Sequence, residues 1–253
     1  MDLELKDKIA LVTGAAKKRG NGRAIALALA KEGADIACVD IDLALAESVA
    51  GEIIDMGRRA IAVGVDQGNS GAVRAAIIRI HKEFGPVDIL VNNAAVATLG
   101  LLHREQFTPW EDVISIDLSG PYYWIKECMG SMIERNWGRI INISSLTGEF
   151  GGFGQCSYSC SKGALVSLAK TAALEGARFN ITANAVTLGM IATDMSDLIR
   201  PDMKERLIKR TPQRRFGEPQ DVANLVTFLA SEKARFITGA NIIADGGFSL
   251  FVY

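Results

Sequence analysis

The chain has 253 residues, a formal net charge of −1 and a hydrophobic content of 49%. That supplies apolar material for a sizeable core, and the near-zero charge offers no basic field for nucleic acid or an anionic membrane surface. The four cysteines form no CxxC pair and the two histidines, His81 and His103, lie apart, which argues against a zinc site and fits a reducing compartment. The charged start, residues 1–6, does not resemble a signal peptide, and no apolar run reaches the ~20 residues of a bilayer span, so a cytoplasmic protein is expected.

Along the chain, short apolar runs alternate with helical patterns. Strands are predicted at 9–12, 36–39, 60–65 and 87–91, separated by helices at 23–31, 43–56 and 72–84, with Gly33 closing the first helix. A long helix is predicted over 109–136, kinked near Gly120-Pro121, then a strand at 139–143, a helix at 158–178 and a strand at 182–186. The charged segment 190–216 breaks the rhythm and reads as a substrate lid. A helix at 221–230 and a strand at 241–244 follow. Strands that are apolar without interruption are buried on both faces, which implies a parallel sheet covered by helices. The expected fold is α/β: one doubly wound Rossmann-type domain over residues 1–253, with about seven strands.

The first strand runs into Thr13-Gly14, then Gly20-Asn21-Gly22 and a helix. Glycines there let the backbone approach a pyrophosphate, and the helix N-terminus supplies free N–H groups and a positive dipole end. Asp40, at the end of the second strand, sits where the adenosine ribose must lie. Its charge repels a 2′-phosphate, so NAD is favoured over NADP. Asp42 adds the same sign; Lys17, Lys18 and Arg19 oppose it.

Tyr158 and Lys162 are four residues apart at the start of a predicted helix, so they share a face. An ammonium beside a phenol is expected to lower a pKa that is ~10 unperturbed, giving a proton donor and acceptor near neutral pH. Ser145, 13 residues before Tyr158, follows a strand and is placed to polarise a reacting oxygen.

Taken together these residues resemble the classical short-chain dehydrogenases/reductases. The resemblance runs over nearly the whole chain: Thr13-Gly14 to Gly22, Asp66, Asn92-Asn93-Ala94-Ala95, Ser145, Tyr158 with Lys162, residues 184–193, Gly217-Glu218-Pro219, and Asp245-Gly246-Gly247. It implies Tyr158 as the acid/base, Ser145 orienting the carbonyl or hydroxyl, and Lys162 binding the nicotinamide ribose. It also implies a cofactor site of Gly14, Arg19, Gly20, Asn21, Gly22, Asp40, Asp66, Gln67, Asn93, Tyr158, Lys162, Ile191 and Thr193, no metal, and a homotetramer packed partly through the C-terminal strand and residues 248–253.

Four departures stand out. Five residues separate Gly14 from Gly20, two more than the family's usual spacing. That resembles the divergent enoyl reductases, but those place their lysine seven positions after the tyrosine, which here is Leu165. Ala95 replaces a glycine, and Leu188-Gly189 replaces Pro-Gly. Most consequentially, many members carry a catalytic Asn in the long helix, and the aligned position is Asp117, the fourth candidate catalytic residue.

The expected activity is interconversion of a secondary alcohol and a ketone with NAD(H), running as oxidation with Tyr158 as phenolate base. The alternatives are an NADPH-linked 3-oxoacyl reductase and, from another class, a catalytically silent NAD-binding sensor or scaffold. Pocket walls are sought in residues 95–101, Leu146, Glu149, Phe150, Phe153, Gln155, Leu188 and the lid, with Phe150 and Phe153 left open between wall and core. Cys160 reads as a small filler, and both histidines as surface residues.

Overall fold

The computed structural model describes residues 2–97, 99–104 and 108–250. Strands β1 (Ile9–Thr13), β2 (Asp35–Asp40), β3 (Ala60–Gly64), β4 (Ile89–Asn92), β5 (Gly138–Ser145), β6 (Ile181–Leu188) and β7 (Asn241–Ala244) form a seven-stranded parallel sheet in the order β3-β2-β1-β4-β5-β6-β7. Helices α1 (Asn21–Lys31), α2 (Leu43–Asp55), α3 (Ser70–Glu83), α4 (Trp110–Ile114), α5 (Gly120–Glu134), α6 (Leu146–Phe150), α7 (Cys156–Gly176), α8 (Pro201–Arg210) and α9 (Pro219–Ala230) connect them.

Successive strand residues point to opposite faces, and both faces are apolar. Ala10, Val12, Ile36, Cys38, Val91 and Ile143 join one core with Ile25, Leu29, Val222 and Val226 of α1 and α9. Leu11, Ala37, Val39, Leu90 and Ile140 join the other with Ile77, Ile80, Trp124 and Met132 of α3 and α5. This two-sided burial is why the strands carry no polar alternation. The chain leaves β1 towards β3 in one direction and runs from β4 to β7 in the other, so strand order reverses between β1 and β4. A crevice therefore opens at the carboxyl ends of these two strands.

The helix expected over 109–136 is not simply kinked. α4 and α5 are joined by one π-helical turn, Ser115–Ser119. Pro121 explains it: a proline has no N–H for the carbonyl four residues back, which is that of Asp117, so the regular ladder fails there and one turn widens. β5 and β6 are each 8 residues long, and β5 ends on Ser145 itself. The segment 190–216 contains a bridge from Ile191 to Gly217, a 3₁₀ turn at Ser196–Leu198, and α8, which buries none of its residues. Phe251, Val252 and Tyr253 lie outside the described residues. Among the described residues no helix is long and apolar enough to cross a membrane.

Candidate active site

Ser145 is extended (φ −144°, ψ 152°), so it ends β5 and also caps α6, its Oγ accepting from the Thr147 N–H at 3.3 Å. The Thr147 hydroxyl adds a second bond at 3.2 Å. α6 then crosses α7 backbone to backbone. A Cβ on Gly148 would stand 2.5 Å from the Gly163 nitrogen, and one on Gly163 2.9 Å from the Gly148 oxygen. These two glycines draw Ser145 against the first turn of α7, where the Tyr158 hydroxyl hydrogen-bonds it.

One turn further on, Lys162 is 3% exposed. Its Nζ donates to the Ile143 carbonyl at 3.0 Å and lies 5.5 Å from the centre of the Tyr158 ring. Ser144 fixes the same turn, its hydroxyl donating to the Lys162 carbonyl at 2.7 Å. Asn142 completes the floor, bonding the Leu165 carbonyl at 3.2 Å and the Asn92 side chain at 2.9 Å. These second contacts carried no sequence signal beyond the polar residues in apolar strands.

Asp117 projects from the π turn and is 0% exposed. Its Oδ1 accepts from the Val96 N–H at 2.8 Å, and its Oδ2 has no hydrogen-bond partner. Burial pushes this carboxyl up to about 6, against the pull of Lys162 and the Val96 bond. Burial likewise weakens the Lys162 ammonium, and Asp117 partly restores it.

The same environment corrects one expectation. Tyr158 is not acidified. Burial and then the Asp117 charge push its phenol up to about 12, with the Ser145 bond pulling the other way. The lysine that was to lower it shares its field with a carboxylate.

At the cofactor end, Thr13 Oγ1 accepts the N–H groups of Asn93 and Ala94, both at 3.0 Å, pinning β1 to β4 at the switch point. Asn93 Nδ2 donates to the carbonyls of Thr13 (2.9 Å) and Gly14 (3.2 Å). A Cβ on Gly22 would stand 2.1 Å from the Gly14 oxygen, so the helix start can reach the strand end only with glycine there. α2 is capped by Asp42 and α3 by Asn69, but α1 begins at Gly20 with no side-chain cap and no acidic residue in its first turn. Its free amides and the unpartnered, buried Asn21 Oδ1 suit a pyrophosphate and a hydroxyl donor.

Asp40 ends β2 with Oδ2 accepting from Ala16 N–H and Oδ1 from Asp42 N–H, both at 3.1 Å. Its position is thereby fixed beside the glycine loop. Of the opposing basic residues, Arg19 turns to Asp197 of segment 190–216, at 2.6 Å, and nearby Arg23 pairs with Glu52. The residues present therefore fit a nicotinamide dinucleotide.

Other expected residues divide. Asp66 turns on itself, its Oδ1 accepting from Gly68 N–H at 2.9 Å. The Gln67 amide is already bonded: it donates to the Ile116 carbonyl at 2.8 Å and the Ala94 carbonyl at 3.3 Å and accepts from Trp124 at 3.2 Å, tying the π turn to the end of β4. Ile191 bridges to Gly217, and the Thr193 N–H donates to the Ser196 hydroxyl at 3.1 Å, so both are held within the start of segment 190–216. Leu188 is 6% exposed and belongs to the core rather than a wall, whereas Phe150 and Phe153 are 68% and 91% exposed and belong to neither. Cys160 is no filler but exposed, touching Cys156, and His81 is half-buried, accepting from the Val87 N–H.

A family model described as enoyl-(acyl carrier protein) reductase matches residues 14–249. The 3-oxoacyl-[acyl-carrier-protein] reductase FabG of Staphylococcus epidermidis is 40% identical over 245 residues, covering 95% of this chain and 98% of that one. The protein of the same name from Escherichia coli is 38% identical over 246 residues, covering 97% and 98%. Two solved structures, a provisionally assigned gluconate dehydrogenase from Agrobacterium tumefaciens and a provisionally assigned short-chain alcohol dehydrogenase from Sinorhizobium meliloti, superpose over 100% of both chains with TM-scores of 0.94, at 31% and 32% identity. With the reversed parallel sheet, the uncapped glycine turn, and Ser145, Tyr158 and Lys162 on adjoining elements, these matches place the chain in the short-chain dehydrogenase/reductase family of oxidoreductases.

Proposed function

We propose that the chain interconverts a ketone and a secondary alcohol with NAD(H), and that its resting state is set for ketone reduction. The observation that carries this is the Tyr158 hydroxyl, bonded to Ser145 and with the buried Lys162 Nζ 5.5 Å from its ring centre. A protonated phenol is the donor that a carbonyl oxygen needs. Ser145 orients that oxygen and Tyr158 gives it a proton. Lys162, anchored on Ile143, stands behind the ring to steady the phenolate left behind. Gly14, Gly20, Asn21 and Gly22 would cradle the pyrophosphate and Asp40 the adenosine ribose. When bound, the nicotinamide supplies the hydride. Segment 190–216, tied to the glycine loop through Arg19 and Asp197, would act as a lid over both ligands.

A second reading concerns the substrate. The curated relatives at 38–41% identity are named 3-oxoacyl-[acyl-carrier-protein] reductases, which favours a 3-oxoacyl thioester as the ketone. It is compatible with Asp40, since substrate and cofactor choices lie at opposite ends of the crevice. An enoyl reductase, the description attached to the family model, is disfavoured. The chain keeps its lysine four positions after Tyr158, and Leu165 is 1% exposed in the core.

The test is steady-state reduction of a ketone panel that includes a 3-oxoacyl thioester, with NADH and NADPH in parallel. The expected result is at least about a tenfold preference in kcat/KM for NADH, a difference of roughly 1.4 kcal/mol. Efficient use of NADPH would defeat the Asp40 argument. Silence across the whole panel and its reverse alcohols would favour a binding module instead.

A further inference from the structure

We infer that Asp117, a buried carboxylate in the turn on which α7 packs, acts on Tyr158 to set the pH at which the phenol exchanges its proton. The carboxylate stands where its family often carries an uncharged amide. Its placement is unusual in three ways. It sits in the widened turn that Pro121 creates, it is 0% exposed, and one of its two oxygens is fastened to Val96 N–H while the other has no partner. A buried carboxylate oxygen without a donor is costly, and such groups cluster where charge is being managed.

Among the described residues, the groups facing it are few. From α7, packed on this turn, come Lys162 and Tyr158. From the β4–α4 connection comes a backbone N–H, that of Val96. Glu111 and Asp112 of α4, and Lys126 of α5, are exposed and point to solvent. Gln67 packs beside the turn but is neutral and already bonded. Lys162 and Asp117 act on one another yet form no direct ion pair, and the Asp117 charge also reaches Tyr158.

The consequence follows from the signs. A charged Asp117 repels the phenolate, so the phenol holds its proton more firmly. A protonated Asp117 removes that repulsion, and the phenol ionises more readily. Because burial raises the carboxyl only to about 6, it is mostly charged at neutral pH. The chain thus keeps its proton donor loaded further into the alkaline range than an amide in the same place would allow. In ketone reduction the O–H bond of Tyr158 breaks as the carbonyl oxygen takes the proton, and solvent restores it. A higher phenol pKa postpones the pH at which that donor is lost.

This rests on the proposed role of Tyr158 for its kinetic consequence alone, so the deciding measurement uses neither substrate nor cofactor. The phenolate absorbance of the protein is titrated with alkali for the wild type, Asp117→Asn and Asp117→Ser. Tyr158→Phe identifies which step belongs to Tyr158. The expected result is a Tyr158 step about one pH unit lower, or more, in both variants, an effect typical of losing one nearby charge. Where activity is found, the alkaline limb of kcat/KM for reduction should move down with it, with turnover at the optimum within about tenfold. An unmoved Tyr158 step in a folded variant overturns the inference, and it does so independently of any substrate. Silence of the ketone panel with a shifted step would overturn the proposed reaction and leave the coupling standing.

Discussion

Both ends of the sheet bury charge, but they treat it differently. At the amino ends of the strands, Asp35 meets Arg58 at 2.6 Å and Arg59 at 3.4 Å, and Asp88 pairs with Arg135 while accepting the Ile9 N–H at 2.9 Å. Arg139, 0% exposed, bonds Glu232 at 3.0 Å and two backbone carbonyls and stacks 4.3 Å from the Trp137 ring, which Lys8 covers at 3.9 Å. Each buried charge there rests against its opposite, although the Nε atoms of Arg58 and Arg139 have no partner of their own. At the carboxyl ends, Asp117 and Lys162 are equally buried, yet they form no salt bridge and one carboxylate oxygen has no partner. Closed pairs hold a fold together; open ones leave protons free to move. On the proposed reaction, the two ends of the same strands divide stability from chemistry.

The sharpest way to break that division is to remove one group from each end. Tyr158→Phe deletes the proton donor and should lower kcat by about 10³-fold or more, roughly 4 kcal/mol of barrier. Its unfolding temperature should move by no more than a few degrees, since what is lost is one hydrogen bond to Ser145. Arg139→Ala should do the reverse. Glu232 loses its cationic partner, keeping the Trp137 Nε1 bond, and two carbonyls lose a donor, at a cost of about 3 kcal/mol. Thermal unfolding should fall by on the order of 10 °C, with turnover per folded molecule unchanged. If Arg139→Ala lost activity while keeping its stability, the division would be wrong.

Much of this contrast was legible in the chain. The apolar runs of β1, β2 and β4 announced a parallel sheet, because a strand buried on both faces has no room for polar alternation. Tyr158 and Lys162 were legible from helical spacing, and Asp40 from its distance past the glycines. What stayed hidden depended on tertiary partners. Gln67 looked like a cofactor residue, but its amide is claimed by a carbonyl that the π turn leaves free. The turn itself was half-visible: Pro121 marked the place, though not whether the helix would bend or widen there. The phenol was misread because its pKa depends on burial and on a carboxylate 41 residues earlier, neither of which spacing encodes. The closed ion pairs at the amino ends gave no sequence signal, since their members come from distant segments.

A middle-sized effect tests the open end through stability rather than rate. The folded pKa of Asp117, about 6, lies above its ordinary value of 3.8, so the fold prefers the neutral carboxyl. That preference is present in full below the unfolded pKa and is lost as pH rises through about 6. Asp117→Asn mimics the neutral form at every pH. It should therefore be more stable than the wild type at pH 8, by on the order of 2 kcal/mol, with the gap closing by about pH 4. Urea unfolding at the two pH values measures it. A variant less stable at both would show that Asp117 is held for its bonds rather than tolerated for its charge.

The smallest effect belongs to a pair that looks similar on paper. Arg19 and Asp197 meet at 2.6 Å, no longer a contact than several at the amino ends, but their side chains are 53% and 44% exposed. Water screens such a pair, and holding two long side chains together offsets most of the attraction. Arg19→Ala should leave the unfolding temperature within about two degrees of the wild type, in contrast to Arg139→Ala. Its value lies in the cofactor. If Arg19 is committed to the lid, its removal leaves the NADH-to-NADPH preference within about threefold and slightly raises the KM for either. If Arg19 instead swings to a 2′-phosphate, NADPH use alone should fall, by about tenfold for one lost charge-assisted bond. The ratio of the two kcat/KM values separates a latch between glycine loop and lid from a hidden phosphate ligand.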